Sequence, residues 1–285
     1  MFDVTTTTVL DGLRFPEGPR WHDGRLWFSD QHDGRVIALA PDGSTETIVD
    51  VPEGPSGLGW TPDGDLLVVS MRDRRLLRLD RGGGLAEVAD LGSIATFHCN
   101  DMVVDSVGRA YVGNFGFDLD AGDPFAPTAL ARVDPDGAVS VAADDLAFPN
   151  GTVITPDGGT LIIGESFAAR LSAFTVQSDG SLTDRRTWAT VEGAAPDGCC
   201  LDADGAIWMA DAIGRRVVRV LEGGEITDTV AVSEPNGAFA CMLGGDDRRS
   251  LYICTAPSSS PSDTESARGG RIESVRVEVP GAGLP

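Results

Sequence analysis

Short runs of alternating apolar and polar residues fill the chain, separated by turn residues, and no coiled-coil or heptad pattern interrupts them. One arrangement recurs six times: an apolar stretch, a turn around Asp-Gly, then a short strand ending in a small or polar residue. It reads Trp21-HDG-RLWFSD, Trp60-TPDG-DLLVVS, Val104-DSVG-RAYVGN, Ile154-TPDG-GTLIIGE, Leu201-DADG-AIWMAD and Met242-LGGDDRRS-LYICT. The turn glycines Gly24, Gly64, Gly108, Gly158 and Gly205 lie 40, 44, 50 and 47 residues apart. Each unit carries a second hairpin, over 35–49, 76–89, 129–142, 170–189 and 216–232, again turning at DG or GG. A period of this length with paired strand–turn–strand units predicts an all-β, six-bladed β-propeller with four strands per blade. Seven blades are disfavoured because only six repeat turns are found.

The sixth unit is short of a strand. After 271–277 only EVPGAGLP remains, whereas the β-branched segment 5–10 precedes the first unit. Pairing that segment into the last blade closes the ring and removes a free sheet edge. The expectation is one domain over 1–285, without a linker.

Composition narrows the function. The 36 glycines and 17 prolines suit many turns, and 22 basic against 44 acidic residues give a net charge of −22. Such a surface disfavours nucleic acid and anionic membranes as partners and leaves a small-molecule substrate. Every basic residue is Arg, and with no lysine neither Schiff-base chemistry nor a P-loop is available. No apolar run of about 18 residues could span a membrane, and 1–10 lacks the features of a signal peptide. Cys99, Cys199, Cys200, Cys241 and Cys254 are odd in number and without CxxC spacing, as expected of reduced thiols in a cytoplasmic protein.

Upstream of each turn glycine stands a second repeat: Pro16-Glu17-Gly18, Pro55-Ser56-Gly57, Cys99-Asn100-Asp101, Pro149-Asn150-Gly151, Pro196-Asp197-Gly198 and Pro235-Asn236-Gly237. Pro-x-Gly can be simply a turn with x chosen for turn chemistry, although Glu17 is a poor turn residue. In a propeller the first strand of each blade lines the central channel. The six middle residues would then form a ring of oxygen-bearing side chains, two of them carboxylates. Like charges held that close share a proton or take a cation. An oxygen-only set suits one hard divalent ion, Ca²⁺ first, then Mg²⁺ or Mn²⁺, with Fe²⁺ or Zn²⁺ further behind. The histidines do not form a zinc set. His98 shares a strand face with Asn100 and reads equally well as a substrate contact or a satisfied structural residue. Two long loops, 114–128 and 256–270, fall on the ring's side. The first carries Phe115, Phe117 and Phe125, which could shield an axial pocket. Either loop can be a lid or a solvated insertion.

These residues resemble the SMP-30/gluconolactonase family of calcium-dependent lactonases, often described as regucalcin-like. Phe15-PEGPRW with LWFSD, Asn100-Asp101 with VVDSVGRAYVGN, Phe148-PNG with TPDG, and Pro196-DG with LDADGAIWMAD look like its first, third, fourth and fifth blade motifs. The resemblance spans the chain in order. It implies that Glu17, Asn150 and Asp197 are metal ligands and that Asp197 is the catalytic carboxylate, as general base or nucleophile. Asn100 then reaches the substrate, or the metal through water. Sugar-lactone hydrolases of the family commonly carry Arg where this chain has His98, and the phenylalanine-bearing loop suggests a less polar substrate. The expected activity is metal-dependent opening of a lactone or related ester, with Asn100, His98, Phe115 and Phe117 at the substrate. The alternatives are organophosphorus ester hydrolysis or isomerisation or cyclisation of a biosynthetic intermediate at the same centre, and, behind these, a non-enzymatic binding scaffold.

Overall fold

The computed structural model describes residues 6–80, 82–265 and 267–283. It contains six four-stranded antiparallel sheets, and in the first five the chain runs in order from inner to outer strand. The inner strands are Pro16–His22, Pro55–Trp60, Cys99–Val104, Pro149–Ile154, Pro196–Leu201 and Gly237–Gly244. Each packs on the next, and the sixth packs on the first, so the sheets close a ring around an axial channel. This is the six-bladed propeller that the repeat predicts.

Closure uses the N-terminal segment. Thr7–Leu13 pairs with Gly270–Arg276 as the outer strand of blade six, with Thr7 opposite Ser274 and Leu13 opposite Gly270. Thr5, part of the expected closing strand, and Ser266, within the blade-six loop, lie outside the described residues. The fully buried Glu273 carboxylate reinforces the seam by accepting from the Thr6 hydroxyl and, at 3.2 Å, from the Ser233 amide.

Two kinds of glycine make the repeat possible. The five turn glycines sit at φ between +71° and +92°, a region that only glycine occupies without strain. The glycines of Pro-x-Gly serve a different end. Four of the five motifs open inner strands rather than forming turns. A Cβ on Gly57 would strike the Met102 amide, and one on Gly151 the backbone of Asp197 and Cys199. Glycine there lets neighbouring inner strands approach backbone to backbone. The sheet register also shifts directly after the motif, between Glu17 and Arg20, Pro55 and Leu58, Cys99 and Met102, Pro149 and Thr152, and Pro196 and Cys199. Such bulges re-aim side chains, and here they stand where the strands meet the channel mouth.

Candidate active site

At that mouth lies a cavity of about 440 Å³, lined at its base by Glu17, Asn100, Asn150 and Asp197 and on its walls by His98 and Phe115, among others. The structure therefore brings together six of the seven candidate residues read from the sequence. Phe117 is the exception. It is buried behind the wall, with its ring 5.2 Å from Phe167, 5.9 Å from Phe125 and 6.0 Å from Phe148.

The ring of six also needs correcting, to four. Ser56 does not line the cavity, and its hydroxyl accepts instead from Gln31 Nε2 at 3.1 Å. Asn236 is likewise turned away. It lies one residue before its strand begins, outside the pleat that aims the others, and its nitrogen donates to Thr255 Oγ1 at 3.1 Å and the Gly269 carbonyl at 2.9 Å.

A buried acid at the far end of the second strand holds the segment leading into the site. Asp30 accepts from the Phe15 amide at 2.9 Å, two residues before Glu17. Asp211 accepts from the Ala195 amide at 3.1 Å, two residues before Asp197. Glu165, one methylene longer, reaches one residue further back and accepts from the Ala147 amide at 2.9 Å, three residues before Asn150. Each acid is fully buried and meets the Arg that opens the third strand: Arg35 at 3.9 Å, Arg216 at 3.0 Å and Arg170 at 2.9 Å. Sequence reading missed these residues, although the signal was present as an acid followed five positions later by Arg in SDQHDGR, ESFAAR and DAIGRR.

Two further charges lie under the cavity floor. Arg20 and Asp101 form a buried ion pair at 2.6 Å, and Arg20 also donates to the Met102 carbonyl at 2.6 Å. Asp101 occupies the place that glycine holds in the other five motifs, and that break in the repeat was its signal.

Burial dominates the electrostatics. It pushes the Glu17 carboxyl up to about 8, against the Gly18 amide that donates to it at 2.8 Å; the Asp101 charge raises it further and Arg20 opposes. Asp197 is held well above the usual carboxylate range by burial first and the Glu17 charge second, while hydrogen bonds from the Gly18-equivalent amide of Gly198 and from Asn150 pull the other way. Asp101 is raised by burial despite Arg20. Cys99, near the ring, is pushed up to about 12 by burial, and Cys199 is raised for the same reason, so neither thiol is an activated nucleophile.

The donor set at the base is two carboxylates and two amides, all oxygen. Asn150 directs its nitrogen to Ser166 Oγ at 3.4 Å, which leaves its oxygen for another partner. Two desolvated carboxyls beside free amide oxygens, costly to ionise together without a counter-charge, fit a hard cation of the calcium or magnesium kind. Among the described residues no group of three His, Cys, Asp or Glu side chains is arranged to hold a metal. The fit therefore rests on amide participation and disfavours a thiolate or imidazole site.

Comparison with known proteins agrees with this architecture. A family model described as SMP-30/Gluconolactonase/LRE-like region matches residues 15–257. A 6-deoxy-6-sulfogluconolactonase of Pseudomonas putida is 28% identical, over 94% of this chain and 93% of its own. A pentonolactonase of Haloferax volcanii is 28% identical over 99% and 97%. Among solved structures, a luciferin-regenerating enzyme has a TM-score of 0.83 at 20% identity, covering 98% of this chain and 97% of its own. The calcium-binding protein regucalcin from Agrobacterium tumefaciens has a TM-score of 0.82 at 22% identity, covering 100% and 97%. These two likenesses bear on the fold. With the family model covering most of its length, the chain belongs to the SMP-30/gluconolactonase/LRE-like family.

Proposed function

We propose that this protein hydrolyses a lactone to the corresponding hydroxy acid at the base of the axial cavity, with a divalent cation, calcium foremost, held by Glu17, Asn150 and Asp197. The observation that carries this reading is the convergence of these three side chains, from three separate inner strands, on one cavity floor. The lactonases among the sequence relatives support the same chemistry. The bound cation would supply charge balance for the two carboxylates and polarisation of the ester carbonyl.

The chain's own residues do the rest. Asn100 and His98 border the floor and orient the lactone ring. Water attacks the carbonyl carbon, and the bond to the ring oxygen breaks. Asp197 takes the proton from the water and returns it to the departing ring oxygen, so the product is an open-chain hydroxy acid. A carboxylate within reach of the attacking water serves proton transfer in both directions. The five described cysteines are all unpaired and buried, which fits a reducing, cytoplasmic setting; no described helix is long and apolar enough to cross a membrane.

The test is acid release from a panel of aliphatic, aromatic and sugar lactones beside a phosphotriester, with and without chelator. Lactone hydrolysis lost with chelator and in Asp197→Asn is expected. Turnover confined to the phosphotriester, or wild-type turnover in Asp197→Asn, overturns the reading.

A further inference from the structure

We infer that the substrate is a lactone carrying an apolar substituent, an alkyl chain or an aromatic ring, rather than a polyhydroxylated sugar lactone. This rests on the lactonase reading above and specifies its substrate class. The first observation is the aromatic part of the cavity lining. Phe115, Phe148 and Phe167 line the cavity on one side, with Ile213 and Phe239 further round. Phe115 stacks on Phe148 with ring centroids 4.5 Å apart, and Phe148 lies 5.3 Å from Phe167. The three rings form a continuous aromatic face in the cavity lining.

The second observation is exposure. Phe167 is 49% exposed and Ile213 70%, and Leu119 at the same mouth is also exposed. Phe125, equally exposed, stacks on Phe167 at 5.8 Å. Half of the eight exposed large apolar side chains among the described residues thus gather at one opening. Scattered apolar residues need no explanation, but a contiguous set at a cavity mouth marks a binding surface.

The third observation is backbone conformation. Phe148 sits at φ +62°, which a bulky aromatic residue adopts only when its surroundings demand it. That conformation sets its ring between Phe115 and Phe167, directly before Pro149 and Asn150.

The fourth observation concerns what a sugar would need. A polyol demands several free donors and acceptors, because an unmet buried hydroxyl is costly. Three polar groups on the wall are engaged within the protein, Gln31 with Ser56, His32 with Thr264 Oγ1 at 2.6 Å, and Ser166 with the Pro196 carbonyl at 2.6 Å, and Asp120 and Ser259 add to its polar part. Arg72, the only arginine in the lining, donates to the Pro52 carbonyl. His98 is packed between rings, 4.0 Å from Phe97 and 6.0 Å from Phe115. The lining offers an apolar substituent a broad aromatic surface, while its unengaged polar groups are confined to the floor, His98, Asp120 and Ser259.

The experiment compares two ligands of one ring size, an alkyl-substituted γ-lactone and a pentono-γ-lactone, by turnover and by binding. Turnover is read as kcat/KM for wild type and for Phe167→Ser and Phe148→Ala. Binding is read by calorimetry of the intact lactones with Asp197→Asn in calcium-containing buffer. Wild type is expected to favour the alkyl lactone at least tenfold in both readouts. Phe167→Ser, at a half-exposed position where folding is not at risk, should lower that ratio by about tenfold. Equal or better use of the pentonolactone overturns the inference, as does a ratio unmoved by Phe167→Ser, the result expected if the apolar rim serves a docking partner. If no lactone turns over while the tenfold binding preference stands, the hydrolytic reading fails and the apolar specificity holds; if the preference is also absent, both fail.

Discussion

Arg20 and Asp101 meet at 2.6 Å although they come from the inner strands of blades one and three. The pair spans the channel past the inner strand of blade two, whose Gly57 and Gly59 leave backbone rather than side chains facing Met102 and Val104. Both groups are buried, and the arginine charge opposes the upward shift that burial imposes on Glu17 and Asp101. Removing one member of a buried pair strands the other, at a cost of about 3–5 kcal/mol. Arg20→Met should therefore lower unfolding stability by about that amount, whereas the double variant Arg20→Met/Asp101→Leu should recover most of it. Urea denaturation of wild type, Arg20→Met, Asp101→Leu and the double variant checks this, and additive single effects would show that the pair is not energetically linked.

A carboxyl raised to about 8 makes the cation-free protein respond to pH in an unusual direction. Glu17 keeps its proton in the folded state up to about 8, whereas the unfolded chain releases it near its ordinary 4.5. Between those values the native state binds more protons, so stability falls as pH rises. Asp197, raised in the same direction, adds to the slope. Calcium should reverse the trend, because it binds the ionised carboxylates and displaces their protons. The expected outcome is a melting temperature that drops from pH 5 to pH 8 in chelator and stays level or rises in calcium. Identical pH profiles in the two conditions would count against a cation at Glu17 and Asp197.

The propeller was legible because its period is written twice, once in glycines that need positive φ and once in the Pro-x-Gly units that let inner strands touch. The closing strand was legible from a deficit, since blade six has three strands and 7–13 is otherwise unpartnered. The positions of Glu17, Asn100, Asn150 and Asp197 followed from equivalence within the repeat. Ser56 and Asn236 share that equivalence and still turn away, because where a side chain points also depends on its length and on where its strand starts. Arg20 was hidden for another reason: its partner lies 81 residues on and two blades away. The aromatic wall draws Phe115 from one blade and Phe148 and Phe167 from the next. Their loops carry no periodicity, so nothing in the sequence separated lining residues from the buried Phe117.

The acid-to-amide contacts behind the site predict a positioning role for Asp211. Its carboxylate takes the Ala195 amide at 3.1 Å, the Gly214 amide at 3.0 Å and Arg216 Nε at 3.0 Å. Substituting Asn keeps the shape but loses the charge and one acceptor, leaving buried donors unmet at about 1–3 kcal/mol. Because the loosened segment leads straight into Asp197, Asp211→Asn should lower kcat by about tenfold, with KM changing less. Asp211→Glu, which keeps the charge that meets Arg216, should recover part of the loss. Equal falls in thermal stability and activity, without rescue by Glu, would mark Asp211 as structural only.

His32 ties the blade-six loop across the seam of the ring. Its Nδ1 shares a proton with Thr264 Oγ1 at 2.6 Å, its ring stacks on Phe15 at 4.8 Å, and Arg268 from the same loop pairs with the adjacent Asp33 at 2.9 Å. Burial first, then the Arg72 and Arg14 charges, hold the imidazole down at about 4. The folded state thus resists the proton that the unfolded chain accepts below 6.5, so stability present above pH 6.5 is lost as pH falls toward 4. The full shift would correspond to about 3 kcal/mol, and partial solvent contact brings the expected loss to about 2 kcal/mol. His32→Gln, which cannot charge and can still bond Thr264, should flatten the acid limb of the stability curve between pH 6.5 and 4. It should also leave Ser259 and Pro261 over the cavity, so protease cleavage of the 256–270 loop should not accelerate at neutral pH. An acid limb of unchanged steepness in His32→Gln would place the sensitivity elsewhere.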